Sequence, residues 1–274
     1  MRIYISADIE GMPGVVSRDH LMPGRFEYEN ARDSMTDAVV AACETLRDLG
    51  VEEIVVSDSH GNGQNIRFER MPSYVRLVRS WPRPLGMMAG VDHGHYDGAL
   101  LIGYHAGGSN PRGTLSHTLS GEFFHEVRLN GRVVSEAAIS AAIASHFGVP
   151  VLLVAGDDVV VQESLEQLGD VATATLKTSL GWLSAMMLSP AEADARLRAG
   201  VKDAVSRIGR QGPPLPETPC VLEIRLRTRC VAEWLSYLDG AELLDAYSVR
   251  YRAADIVAVS HFLTFVSSAR AALA

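Results

Sequence analysis

Two carboxylates, Asp8 and Glu10, stand one residue apart where the opening apolar run Ile3-Tyr4-Ile5-Ser6-Ala7 ends, and Gly11 follows them. Three later segments end in groups of the same kind: Asp58-Ser59-His60, Tyr104-His105 and Ser135-Glu136. Carboxylates and imidazoles are oxygen and nitrogen donors for a divalent metal. Their mixture suits zinc, manganese or cobalt better than calcium. Three or four such ligands make one zinc site. Five or more, with a carboxylate free to bridge, allow two metals roughly 4 Å apart that share a hydroxide, polarise a carbonyl and stabilise a tetrahedral oxyanion. Each motif has an ordinary reading when taken alone: a strand-end Asp-x-Glu is a cap or a solvated turn, and a single histidine is a core or surface filler. Their joint placement carries the argument.

That placement needs strands that end together. Residues 2–7, 53–57, 99–103 and 151–155 are short apolar runs of the kind found in strands buried on both faces. Residues 28–49 carry Met35, Val39, Ala42, Leu46 and Leu49 on one helical stripe, and Gly50 closes it. Asn130-Gly131 between 123–129 and 132–134 signals a tight hairpin, with a helix following from Ser135 to about 147. Ser189-Pro190-Ala191-Glu192 is a capping box that opens a helix to about Ile208. Alternating strands and helices predict an α/β fold, three layers α/β/α around a mainly parallel sheet. Gly212-Pro213-Pro214-Leu215-Pro216 reads as a linker. It divides a metal-binding catalytic domain, 1–211, from a smaller α+β unit, 212–274, packed on it. In that unit Leu222, Ile224 and Leu226 alternate with charged residues as in a half-exposed strand, and helix, strand and helix follow. Ligands of open α/β sheets bind beyond the carboxyl ends of the strands. Asp8, Asp58, His60, His105 and Asp157 fall at such ends, and Glu136 in the first turn of the helix after the hairpin.

Composition sets the outer limits. The 274 residues are 47% hydrophobic and 21% charged, ordinary values for a globular protein. A net charge of −8 speaks against a nucleic-acid partner, which needs clustered Lys and Arg. The cysteines Cys43, Cys220 and Cys230 are odd in number and unpatterned, as in a reducing compartment. No signal-peptide pattern is seen, and the apolar stretch 256–266 is too short to span a bilayer, so a cytoplasmic protein with no membrane partner is expected.

One ordered series carries a resemblance. Asp8-Ile9-Glu10-Gly11, Ser57-Asp58-Ser59-His60-Gly61, Gly103-Tyr104-His105-Ala106, Ser116-His117-Thr118, Ser135-Glu136 after Asn130-Gly131, and Val154-Ala155-Gly156-Asp157-Asp158 follow one another along the chain. The series resembles the zinc-dependent D-aminopeptidase family typified by the bacterial dipeptide-operon protein, peptidase family M55. The similarity runs nearly end to end and includes Leu188-Ser189-Pro190 and Ala232-Glu233-Trp234. It implies two zinc ions per subunit, held by Asp8, Glu10, His60, His105 and Glu136, with Asp8 the choice for the bridge. It implies His117 as the catalytic side chain, nucleophile or acid/base, and a ring-shaped homo-oligomer acting on short peptides. The reaction expected is removal of the amino-terminal residue, D-residues included, by a two-zinc-activated hydroxide. An imidazole titrates near neutrality, so His117 suits a proton shuttle or an oxyanion stabiliser.

Other features are weighed beside this one. Asp58 is a candidate partner for a ligating histidine or, equally, a strand cap. Asp157 is a candidate for lining the cleft or for capping a helix. Asp92-His93-Gly94-His95 has the look of a metal clip but precedes a strand rather than ending one. No G-x-S-x-G elbow is present. Gly181-Trp182-Leu183 replaces a basic residue common in the family, a change toward an apolar wall. Two other functions stay open: a related amidohydrolase or phosphohydrolase on another small substrate, and a non-catalytic peptide-binding protein.

Overall fold

The computed structural model describes residues 1–210 and 217–273. In chain order, β1 (Arg2–Ala7), α1 (Tyr28–Asp48), β2 (Glu53–Asp58), β3 (Val75–Val78) and β4 (Gly98–Tyr104) lead to the hairpin β5 (Phe124–Leu129) and β6 (Arg132–Val133). Next come α2 (Glu136–His146), β7 (Val151–Asp157), α3 (Asp158–Leu168), β8 (Ala172–Gly181), β9 (Ser184–Met187) and α4 (Pro190–Ser206). The chain closes with β10 (Cys220–Leu226), α5 (Arg229–Leu235), β11 (Ala241–Asp245), β12 (Ser248–Ala253) and α6 (Ile256–Leu273).

Seven strands form one sheet in the order β3-β2-β1-β4-β7-β8-β9. All pairings in it are parallel except β8 with β9. Side chains alternate across the sheet. Ile3, Ile5, Leu100 and Ile102 share a core with Met35 and Leu46 of α1 and Leu197 and Val201 of α4. Tyr4, Leu101 and Val154 point the other way, into a core that holds Ile143 of α2, Val160 of α3 and Val259 of α6. Both faces are therefore covered, which is why the strands read as continuous apolar runs. The expected three-layer α/β/α architecture with a mainly parallel sheet is what is found.

Local chemistry sets the element ends. Ser135 and Ser189 accept hydrogen bonds from Ala138 N (3.3 Å) and Glu192 N (3.2 Å), capping α2 and α4. Asn130 and Gly131 both take positive φ, 49° and 77°, as a two-residue hairpin turn demands.

A second sheet is antiparallel, in the order β11-β12-β10-β5-β6. Leu222, Ile224 and Leu226 of β10 are buried, as their alternation predicts. Strands β10 to β12 and helices α5 and α6 come from the segment expected to form the smaller unit, and β5 and β6 from the first 211 residues join the same sheet. Two strands, not one, separate the last two helices. Most of β11 is exposed, so its sequence lacks the alternation that marks a half-buried strand. The linker expected at Gly212–Pro216 lies outside the described residues. No described helix is long and apolar enough to cross a membrane.

One close contact decides where the site forms. Gly11 N donates to Gly103 O at 2.7 Å, packing the turn after β1 onto the end of β4. A Cβ on Gly11 would lie 2.1 Å from Tyr104 O, and one on Gly103, whose φ is +77°, would lie 2.1 Å from Asp8 O. Only glycine at both positions lets these backbones touch.

Candidate metal centre

Asp8 and Glu10 occupy the turn after β1 and are 2% exposed. A buried lysine fixes this turn: Lys177 of β8 donates its Nζ to the carbonyls of Glu10, Met12 (3.3 Å) and Val15 (2.6 Å). Three donors meet three acceptors, so the ammonium is satisfied without a contacting carboxylate. Burial pushes its pKa down to about 8, offset in part by the Asp157 and Glu10 charges. His60 follows β2 in a loop organised by Asp58. The Asp58 carboxylate accepts from Asn65 N (2.6 Å), Ile66 N (2.7 Å) and Asn65 Nδ2 (2.7 Å), and Asn65 Nδ2 also donates to His60 O (2.7 Å). His105 follows β4, and Glu136 opens α2.

These residues converge with His117, which the loop between β4 and β5 delivers. Among the described residues, three overlapping groups have ligand atoms within 4.8 Å of one another: Asp8-Glu10-His60, Asp8-His105-Glu136 and Glu10-His105-His117. The structure thus brings together all five expected ligands and the expected catalytic histidine. His60 Nδ1 stands 3.3 Å from Asp8 Oδ1 and 3.0 Å from Glu10 Oε2. His105 Nε2 stands 3.5 Å from both Asp8 Oδ2 and Glu136 Oε1. His117 Nε2 is 3.8 Å from Glu136 Oε1 and 4.0 Å from Glu10 Oε1. The His105 and His117 rings stack at 4.1 Å.

Each imidazole has its far nitrogen on a backbone carbonyl. His60 Nε2 donates to Leu21 O (2.9 Å), His105 Nδ1 to Ala106 O (3.0 Å) and His117 Nδ1 to Leu115 O (2.8 Å). A carbonyl only accepts, so these nitrogens each carry a proton, and the other nitrogen of each ring faces the carboxylates. This is the anchoring that metal-binding histidines use. His105 Nε2 is buried and has no hydrogen-bond partner.

The electrostatics ask for a cation. Burial raises the Asp8 pKa, and the neighbouring Glu10 charge raises it further. Burial works against Glu10 and Glu136 as well. The histidines nevertheless hold both below the usual carboxylate range: His60, His105 and His117 act on Glu10, and His105 and His117 act on Glu136. Burial opposes charge on His60 and His105, yet the surrounding carboxylates raise both, His105 to about 10. His117 moves the other way, lowered by burial and by the charge on His105. Three buried carboxylates that force protons onto two imidazoles need positive charge at their centre, and a divalent metal supplies it. The mixed nitrogen and oxygen donors, with the orphaned His105 Nε2, fit zinc.

The remaining candidates lie elsewhere. Asp157 caps α3 through Val160 N (2.8 Å) and accepts from Thr114 N (3.0 Å), tying the His117 loop to β7. His93 of the Asp92-His93-Gly94-His95 stretch is exposed, and no member of that stretch joins the three groups. Sequence reading missed Lys177 as a structural cation. Its one available signal was a lone lysine inside an otherwise uncharged run, Ala172–Trp182.

Comparison with known proteins follows the same line. The model of the peptidase M55 family, described as D-aminopeptidase, matches residues 1–265. A D-aminopeptidase of Bacillus subtilis (strain 168) is 31% identical over 258 residues, covering 94% of this chain and 93% of that protein. Among solved structures, the Zn-dependent D-aminopeptidase DppA from Bacillus subtilis, described as a self-compartmentalizing protease, superposes with a TM-score of 0.92. It shares 29% sequence identity, with 98% of this chain and 97% of that one covered.

Proposed function

The chain belongs to the peptidase M55 (D-aminopeptidase) family, and from that premise we propose that it is a zinc-dependent aminopeptidase removing the amino-terminal residue of short peptides, D-residues included. The observation that carries the reading is the set of three imidazoles, each pinned through one N–H to a backbone carbonyl, that turn the other ring nitrogen toward three buried carboxylates. Asp8, Glu10, His60, His105 and Glu136 are the proposed ligands of two zinc ions. When bound, the ions supply Lewis acidity for the attacking water and for the scissile carbonyl.

Asp8 is the proposed bridge, since its two oxygens turn toward different histidines, His60 and His105. His117 is the proposed acid/base group. Its side chain keeps 20% exposure, against 10% or less for the other five. Leu115 O fixes its Nδ1–H and leaves Nε2 free to take a proton and pass it to the departing amine. Its lowered pKa keeps the ring neutral near pH 7, the state a proton acceptor needs.

The reading extends to a ring-shaped homo-oligomer, supported by the self-compartmentalizing description of the solved relative. It extends also to a cytoplasmic setting, where Cys43, Cys220 and Cys230, all unpaired, stay reduced. A monomer by light scattering would remove the ring.

The test is zinc-loaded enzyme with matched D- and L-aminoacyl peptides of two to four residues. Release of the D-amino acid from the amino end is expected. Release of L-residues alone would overturn the D-peptide claim, and phosphate release from phosphoesters without amine release would replace the peptidase reading. His117→Ala is expected to retain zinc and to lose on the order of 100-fold or more in turnover. Full turnover with zinc bound would remove the role.

A further inference from the structure

A cavity of about 250 Å³ opens directly onto His117. Trp182, Phe124 and Pro111 give it apolar wall, and His125 and Arg227 line it as well. No carboxylate lines it among the described residues. The metal-centre cluster behind His117 holds three. Among the lining side chains Arg227 is the one with a permanent charge, and it is positive.

Arg227 is held with its cationic end unspent. Its backbone N donates to Phe123 O (3.0 Å) and its Nε to Gly121 O (2.7 Å), and among the described residues its two terminal nitrogens have no partner. Gly121 is also the residue packed on His117, for a Cβ there would lie 3.2 Å from His117 Cβ. Gly121 thus touches both the guanidinium and the proposed acid/base residue. Trp182 is held in place too. Leu115 N donates to Trp182 O (2.8 Å), Trp182 Nε1 to Ser116 O (3.4 Å), and the Arg18 guanidinium lies 5.6 Å from the indole ring.

We propose that this cavity is the subsite for the carboxy-terminal side of a di- or tripeptide, with Arg227 binding the free terminal carboxylate. The assignment rests on the aminopeptidase reading. A short peptide ends in a free carboxylate, and the cavity on the His117 side offers it a guanidinium and no competing carboxylate among the described lining residues. A guanidinium that lines the same cavity as His117 is placed to meet a carboxylate on the leaving side of the scissile bond. The volume lies below the roughly 300–1,000 Å³ of drug-sized pockets, which suits a leaving group of one or two residues. The planar fork of arginine matches a carboxylate in two-point contact. Trp182 and Phe124 give the side chain of the leaving residue an apolar surface.

The probes are D- and L-leucylglycine and their carboxamides, assayed with the zinc-loaded full-length protein. The wild type is expected to favour the free acids over the amides by about tenfold or more in kcat/KM, carried by KM, the scale of a charge-assisted hydrogen bond. In Arg227→Met the acid-to-amide ratio falls to about one, and Arg227→Lys retains part of it. A wild-type ratio of one, or an Arg227→Met variant that keeps the wild-type ratio, overturns the assignment and leaves the aminopeptidase reading standing. No cleavage of any of the four by zinc-loaded enzyme overturns both.

Discussion

Asp8 differs from the other acids of the cluster in how its two oxygens are spent. Oδ1 lies 3.3 Å from His60 and Oδ2 3.5 Å from His105, two histidines carried by loops after different strands. Glu136 uses one oxygen, Oε1, toward both His105 and His117, and that oxygen also accepts Leu119 N at 2.6 Å. Glu10 reaches His60 closely and His117 only at 4.0 Å. Deleting Asp8 therefore removes a group from both halves of the cluster, whereas deleting His60 empties one. Metal analysis after gel filtration is expected to find about two zinc ions per subunit in the wild type, about one in His60→Ala and well below one in Asp8→Ala. Equal zinc in the two variants would count against Asp8 as the bridge.

The elements hold these residues through contacts that cross the sheet. Lys177 sits on β8, two strands beyond β4, yet its ammonium closes the turn that carries Glu10. Lys177→Met removes three donors and leaves the carbonyls of Glu10, Met12 and Val15 buried with fewer partners, at a cost of about 1–3 kcal/mol for each group left unpaired. The expected variant melts several degrees lower and gives up zinc to a weak chelator faster than wild type. Unchanged melting would show that water or a shifted backbone replaces the ammonium. This contact also marks what the sequence can and cannot say. The Asp8, His60, His105 and Glu136 motifs were legible because each ends or follows an element with its own local signal: an apolar run, or the Asn130-Gly131 hairpin. Lys177 had no such signal, since its role depends on parallel pairing of strands far apart in the chain. The same holds for the second sheet, where β10 pairs with β5 across a separation that no local pattern encodes. Strand β11 escaped for the opposite reason, its exposure having erased the alternation. Arg227, just past the end of β10, has no local pattern that sets it apart from the other charged residues there; its place is fixed by Gly121, distant in sequence.

At the scale of the whole molecule, the cluster is a concentration of charge in a place that folding would otherwise keep apolar. Three carboxylates and three imidazoles meet behind the carboxyl edge of the seven-stranded sheet, drawn from segments as far apart as Asp8 and Glu136. Taking like charges out of water costs several kcal/mol per ion unless opposite charge joins them. The surrounding carboxylates raise the pKa of His60 and His105, so protons on these rings supply part of that charge, and a metal bound as proposed would supply more while tying β1, β2, β4 and α2 to one point. On the proposed assignment a metal would bind the assembled cluster and not the unfolded chain, so free zinc at about 100 times its dissociation constant is expected to add roughly 2.7 kcal/mol of stability. At about 2–4 °C per kcal/mol for a chain of this size class, removing it lowers the melting temperature by roughly 5–10 °C. Calorimetry with zinc, with chelator, and with zinc restored is the measurement, with light scattering alongside to hold the state of assembly constant. His60→Ala is expected to retain only part of the zinc-dependent shift. A melting temperature indifferent to chelation, with zinc shown by metal analysis to have left, would mean that the six groups neutralise one another and that the metal serves the reaction alone.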